Sequence, residues 1–133
     1  MSLNLSPAAL AEIIAHARAD APLEACGYIG ERDGRADRVI RLTNADHSPE
    51  HFSLVPAEQF AAVRALRAAG YRLRAVYHSH PASPARMSAE DLRLARDAAL
   101  SYVIVSLASD TPVVKSFRIG DETGEEEIQT VGE

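Results

Sequence analysis

At 133 residues, with 47% hydrophobic and 25% charged side chains, the chain has the size and balance of one folded domain and excludes both a disordered segment and two separate cores. Its net charge of −5, with acidic residues gathered at Asp121, Glu122, Glu125, Glu126 and Glu127, offers no basic stripe, so nucleic acid is not an expected partner. A single cysteine, Cys26, excludes an internal disulfide and a cysteine-rich zinc knuckle, while residues 1–20 lack the apolar run of a leader or membrane span, which makes the cytoplasm the expected compartment.

Ser6-Pro7 supplies a helix N-cap followed by a first-turn proline, and Leu10, Ile13, Ile14 and Ala17 recur at helical spacing. A helix is therefore expected over 6–19, ended by Pro22. Residues 25–31 and 37–43 form a hairpin about Arg32-Asp33-Gly34, and a polar loop from Asn44 to Glu50 leads to a short strand at 51–55. Pro56 opens a second helix with Phe60, Val63, Leu66 and Ala69 as its buried stripe and Gly70 as its stop. Residues 71–80 form a strand that runs into Pro81, and a third helix is expected from Ser88 to Leu100. The apolar run 102–107 has the pattern of a strand covered on both faces, and 113–119 with 126–131 form a last hairpin about Asp121 to Gly124. The order α-β-β-β-α-β-α-β-β-β predicts one α/β domain over 1–133, a central mixed sheet flanked by helices.

The chemistry is concentrated in His78-Ser79-His80-Pro81 and the Ser88-Ala89-Glu90-Asp91 that follows. On a strand, residues two apart share a face, so both imidazoles can reach one metal ion. Pro81 places the pair at the strand's end, and Asp91 falls in the first turn of the next helix, where its carboxylate can be a third ligand. Two His and one carboxylate leave a fourth tetrahedral position for water, the arrangement of a catalytic zinc rather than a structural one. Each half also has a plain structural meaning. A bare His-x-His pair occurs on surfaces and in cores, and Ser88 with Asp91 three residues on also forms a helix cap. Capping and ligation are compatible, since a fixed helix start aims Asp91.

His78-Ser79-His80-Pro81, the seven residues from Pro81 to Met87, and Ser88-x-x-Asp91 resemble the signature of the JAMM (MPN-plus) zinc metallopeptidases. The resemblance covers roughly residues 5 to 120 and implies the JAMM/MPN fold, which is cytidine-deaminase-like, with one Zn2+ per chain. It also implies that His78, His80 and Asp91 are ligands, that Glu24 in Pro22-Leu23-Glu24-Ala25-Cys26-Gly27 is the general base, and that Ser88 stabilises the oxyanion. The residues by themselves leave Glu24 as one of several acidic groups at element ends. Short members of the family imply a ubiquitin-like sulfur-carrier protein as substrate, cleaved after its C-terminal Gly-Gly. The expected function is a zinc metallopeptidase or isopeptidase. The alternative is a non-catalytic MPN-fold scaffold, although such relatives lose a ligand or the Glu. A zinc nucleoside deaminase is excluded, because it needs a Pro-Cys-x-x-Cys element.

Cys26 is expected in the core, His47 and His51 in solvent, His16 on a helix without a spaced partner, and Arg64, Arg67, Arg72 and Arg74 on a solvated face.

Overall fold

The computed structural model describes residues 2–120 and 123–130. A short strand β1 (Ser2–Leu5) precedes helix α1 (Pro7–Asp20), and the hairpin β2 (Cys26–Arg32) and β3 (Arg35–Leu42) follows. Then come α2 (Pro56–Ala68), β4 (Arg72–His80), α3 (Ala89–Leu94), β5 (Ser101–Ser106), β6 (Val113–Arg118) and β7 (Gly124–Thr130). The strands form one mixed sheet in the order β1-β3-β2-β4-β5-β6-β7, and β1 closes it by pairing in parallel with β7, Leu3 opposite Ile128. The expected mixed sheet with helices is present, and its closure into a barrel was not expected.

Two apolar clusters lie on opposite faces of the sheet. Ala9, Ile13 and Ala17 of α1 pack with Leu3, Leu5, Ile29, Ala75, Tyr77, Val103 and Val105. Ala62 of α2 packs with Cys26, Tyr28 and Leu42, supported by Phe52, Leu54, Val63 and Val76. Burial pushes the Cys26 thiol up to about 12, so it is a core residue as expected. Along β4, Ala75 and Tyr77 face α1 while Val76 faces α2, and the same alternation carries His78 and His80 to the α2 side.

The first helix begins as the sequence predicts, with Ser6 accepting a hydrogen bond from the Ala9 amide. Four expectations are corrected. Strand β1 was missed because only Leu3 and Leu5 mark it, too few for a period to register. Residues 51–55 are not a strand, because Ser53 bonds the loop instead, its carbonyl to the Ala45 amide and its amide to Asn44. Helix α3 stops at Leu94 rather than Leu100: it buries no residue, and Asp97 bonds the Ala99 amide in a local turn that competes with helix. On α2 the buried stripe runs through Ala62 and Leu66 with Val63 half-buried, leaving Phe60 75% exposed. Gln59 turns that stripe inward by donating to the Tyr28 hydroxyl at 3.0 Å.

Two polar residues are also more embedded than expected. Arg74 is buried rather than solvated, paired with Glu31 at 3.2 Å and bonded to Ser101, which in turn donates to Glu126. His16 is buried and does have partners, the Tyr77 hydroxyl at 2.6 Å and Asp20 at 3.1 Å. Asp121, Glu122 and Val131, part of the expected acidic tail and last hairpin, lie outside the described residues.

Gly27 shows how closely the strands approach. A Cβ there would sit 2.4 Å from the Tyr77 ring and 2.5 Å from the Ile40 carbonyl oxygen, and backbone on that side cannot yield cheaply. Gly27→Ala should therefore lower unfolding stability by about 3 kcal/mol, the upper range of overpacking, read from its urea midpoint. A midpoint equal to the parent's would refute the close approach.

Candidate metal centre

The site is built at the end of β4. This strand is flanked by β2, with Cys26 opposite His78, and by β5, with Ile104 opposite His78 and Ser106 opposite His80. Both histidines are buried, and their Nε2 atoms lie 3.1 Å apart. Asp91 completes the group: Oδ1 is 3.2 Å from His78 Nε2, and Oδ2 is 3.1 Å from His80 Nε2. The three residues bring one ligand atom each to within 4.8 Å of the others, so they can hold a metal ion.

Local structure aims each donor. His80 Nδ1 is 2.8 Å from the Pro84 carbonyl, which can only accept. The ring proton therefore sits on Nδ1, and the Nε2 lone pair points at the group. The Phe52 ring stacks on His78, with centroids 4.7 Å apart and an interplanar angle of 27°. Asp91 is fixed by a capping box at the start of α3: its amide donates to Ser88 Oγ at 3.0 Å, and the Ser88 amide donates to Asp91 Oδ2 at 2.9 Å. Capping and convergence thus coexist at Asp91.

The electrostatics suit a cation. Burial opposes ionisation of Asp91, but its hydrogen bonds to the two imidazoles and the Ser88 amide outweigh it and hold the carboxyl well below the ordinary carboxylate range. The imidazoles diverge beside the same carboxylate. Burial holds fully enclosed His78 below the usual histidine value, while for His80 the bonds to Asp91 and Pro84 overcome burial and raise it. A metal ion satisfies all three donors at once.

Glu24 lies two residues before β2 and is buried, with Oε1 making no hydrogen bond. Burial raises its carboxyl to about 7, while the neighbouring His80 charge works the other way and Asp91 adds to the rise. Ser88 is exposed at the rim of the group. The structure therefore brings Glu24, His78, His80, Ser88 and Asp91 into one neighbourhood. His47 is exposed, and His51 pairs with Asp46 at 2.9 Å, so neither joins the metal group. Sequence reasoning missed Phe52 and the Pro84 carbonyl: the first lay in a misassigned strand, and a backbone acceptor leaves no trace in residue type. Beside the group a cavity of about 310 Å³ opens, lined by Tyr28, Phe52, Leu54, Val76, Leu94 and Tyr102 and reaching His78 and Asp91.

Residues 6–120 match the family model described as prokaryotic homologs of the JAB domain. A CysO-cysteine peptidase from Mycobacterium tuberculosis is 38% identical over 124 residues, which cover 91% of this chain and 85% of that protein. A probable TtuB-protein conjugate cleaving protease from Thermus thermophilus is 40% identical over 89 residues, 65% of this chain and 59% of that protein. Among solved structures, protein DSY2949 from Desulfitobacterium hafniense superposes with a TM-score of 0.89 at 50% identity, covering 100% of this chain and 94% of that one.

Zinc(II) or cobalt(II) titrated into metal-free protein should bind one ion per chain, His80→Ala should abolish binding, and His47→Ala should keep it. His80 holds its proton more tightly than the ordinary value of 6.5, so protons compete with metal from above that pH downward. Affinity should fall steadily as the pH is lowered from about 8 to about 6, with protons released on binding in calorimetry. An affinity unchanged over that range would contradict the ligand role of His80.

Proposed function

The chain belongs to the prokaryotic JAB-domain family, and on that premise we propose that it is a zinc-dependent peptidase that cleaves the amide bond after the C-terminal Gly-Gly of a ubiquitin-like sulfur-carrier protein. The observation that carries the reading is the convergence of His78, His80 and Asp91 beside a buried carboxylate with a raised pKa. Two imidazole nitrogens and one carboxylate oxygen suit zinc and leave a coordination position open. Zinc held there would polarise a carbonyl and lower the pKa of a water to about 7.

Glu24 is the base. With its carboxyl near 7, it is partly ionised at neutral pH, so it can take a proton from water and return it to the departing amine. Its Oε1, buried and bonded to no donor among the described residues, has no partner competing for that transfer. Ser88 Oγ accepts from the Asp91 amide, a bond that does not use the hydroxyl hydrogen. That hydrogen is left to donate to a developing oxyanion. The scaffold alternative is disfavoured, since His78, His80, Asp91 and Glu24 are all present in this chain.

The carrier substrate is supported by the relatives named for cleaving CysO-cysteine and TtuB conjugates. Strand addition at a sheet edge, an attractive way to seat an extended tail, is not available beside the site. Strand β4 is paired on both sides, and the sheet is closed. The tail instead crosses the apolar cavity next to His78 and Asp91, and glycines at the bond let the backbone approach without a Cβ.

Incubation of zinc-loaded protein with a carrier bearing a C-terminal cysteine or short peptide should remove only that addition, as read by intact-mass spectrometry. Many cuts in unfolded casein with the carrier adduct untouched would replace this reading with a general peptidase. Glu24→Gln should keep zinc while turnover falls about a hundredfold or more. Ser88→Ala should keep zinc with a rate loss of roughly 3 kcal/mol in barrier. Full activity in Glu24→Gln would assign the base elsewhere.

A further inference from the structure

The loop between β3 and α2 is folded around one side chain. Asn44 is buried, and both ends of its amide are used. Its nitrogen donates to the His51 carbonyl at 3.0 Å and to the Glu24 carbonyl at 3.1 Å. Its oxygen accepts from the Asp46 amide at 3.0 Å and, more weakly, from the Ser53 amide at 3.4 Å. Carbonyls at one end and amides at the other decide which end is nitrogen. Among side chains of this size only a primary amide supplies two donors and an acceptor for two; Asp lacks the donors, and Leu lacks both.

The same loop takes the other polar group of Glu24, whose amide donates to the Ser48 carbonyl at 2.9 Å. Glu24 lies outside the β2 ladder, which begins at Cys26, so strand pairing does not hold it. Its Oε1 is bonded to nothing among the described residues, so the aim of the carboxylate is inherited from the backbone. One residue further on, the chain is tied to the ligand strand: the Ala25 amide donates to Ser79 Oγ at 2.7 Å, and the Ser79 amide donates to the Ala25 carbonyl at 2.9 Å. Ser79 stands between His78 and His80. The loop also carries Phe52, the ring stacked on His78. Asn44 therefore sits where the Glu24 backbone and the packing of a metal-group histidine meet.

We propose that Asn44 is a positioning residue for the hydrolysis: through its bond to the Glu24 carbonyl it fixes where the carboxylate stands relative to His78, His80 and Asp91. The proposal rests on Glu24 being the base, as argued above. Asn44 touches no reacting atom and acts only through Glu24, and that sets the test.

The measurement is a double-mutant cycle on the zinc-loaded protein with a carrier adduct as substrate. Asn44→Ala should keep one zinc per chain and a KM within about twofold, while kcat falls about tenfold to a hundredfold, the range for a misplaced reacting group. Asn44→Asp retains the shape and the acceptor atoms but cannot donate to the Glu24 carbonyl, so it should show a kcat loss at least as large; for both variants the loss is read on protein whose circular dichroism and zinc content match the parent's. In a Glu24→Gln background, adding either change should alter the residual rate by less than about twofold, because the carboxylate being positioned is already gone. Equal losses in both backgrounds, or an unchanged kcat in the single variants, would overturn the positioning role. A Glu24→Gln protein as active as the parent would overturn the base assignment itself.

Discussion

The site depends on the two-residue period of β4. Side chains on a strand alternate between faces, so this one strand serves three tasks without conflict. Tyr77 is buried against the α1 cluster, Ser79 bonds Ala25, and His78 and His80 project together on the other face. Both neighbouring strands are paired along it, β2 up to His78 and β5 up to His80. The imidazoles are thus carried by a strand's rigid ladder rather than by a loop, and only Asp91 arrives from a separate element. Its capping box with Ser88 replaces, in a helix of 6 residues, the rigidity that burial gives elsewhere.

Two carboxylates a short way apart are driven in opposite directions by their surroundings. Asp91 receives two imidazoles and an amide and stays ionised despite burial. Glu24 is buried with few compensating partners and rises to about 7. Their separation follows from environment alone, since both are simple carboxyls, and it divides the labour: a permanently charged group suits cation binding, and one poised near neutrality suits proton transfer. The Asp91 charge contributes to the Glu24 rise, so the two settings are coupled. A cation held by Asp91 would oppose that contribution and bring the Glu24 carboxyl below its metal-free value.

Much of this was legible in the sequence because it rests on short-range rules. Ser6-Pro7 started α1, Pro56 started α2, and the His-x-His spacing with Ser88 and Asp91 named the residues that converge. The resemblance, not the chemistry, singled out Glu24. Its raised pKa is a property of burial, and burial at the end of an element is decided by what folds over it. The failures have the same origin. Nothing near Arg74 in the chain announces Glu31 and Ser101, which reach it from two other strands, or Glu126, which bonds Ser101 from a third. Phe60 fits the α2 stripe by spacing, but the face actually chosen is the one from which Gln59 meets Tyr28. Asn44 stood in a polar loop, where a residue that bonds five backbone groups looks the same as one that bonds water.

Barrel closure has a consequence for how a substrate is admitted. A parallel pairing between β1 and β7 closes the sheet, and among the described residues β4 is paired to β2 and β5, so it offers an incoming peptide no ladder to extend. What remains is the cavity between the Phe52 loop and α3. Its walls differ in strength. Tyr28 and Val76 belong to β2 and β4, while Leu94 ends a helix that buries no residue and is itself 53% exposed. One wall is therefore fixed by the sheet and the other is only lightly anchored, with Asp91 at its base. A segment entering between them would cover the exposed Leu94 surface beside Asp91, on the side where Asp91 reaches His78 and His80.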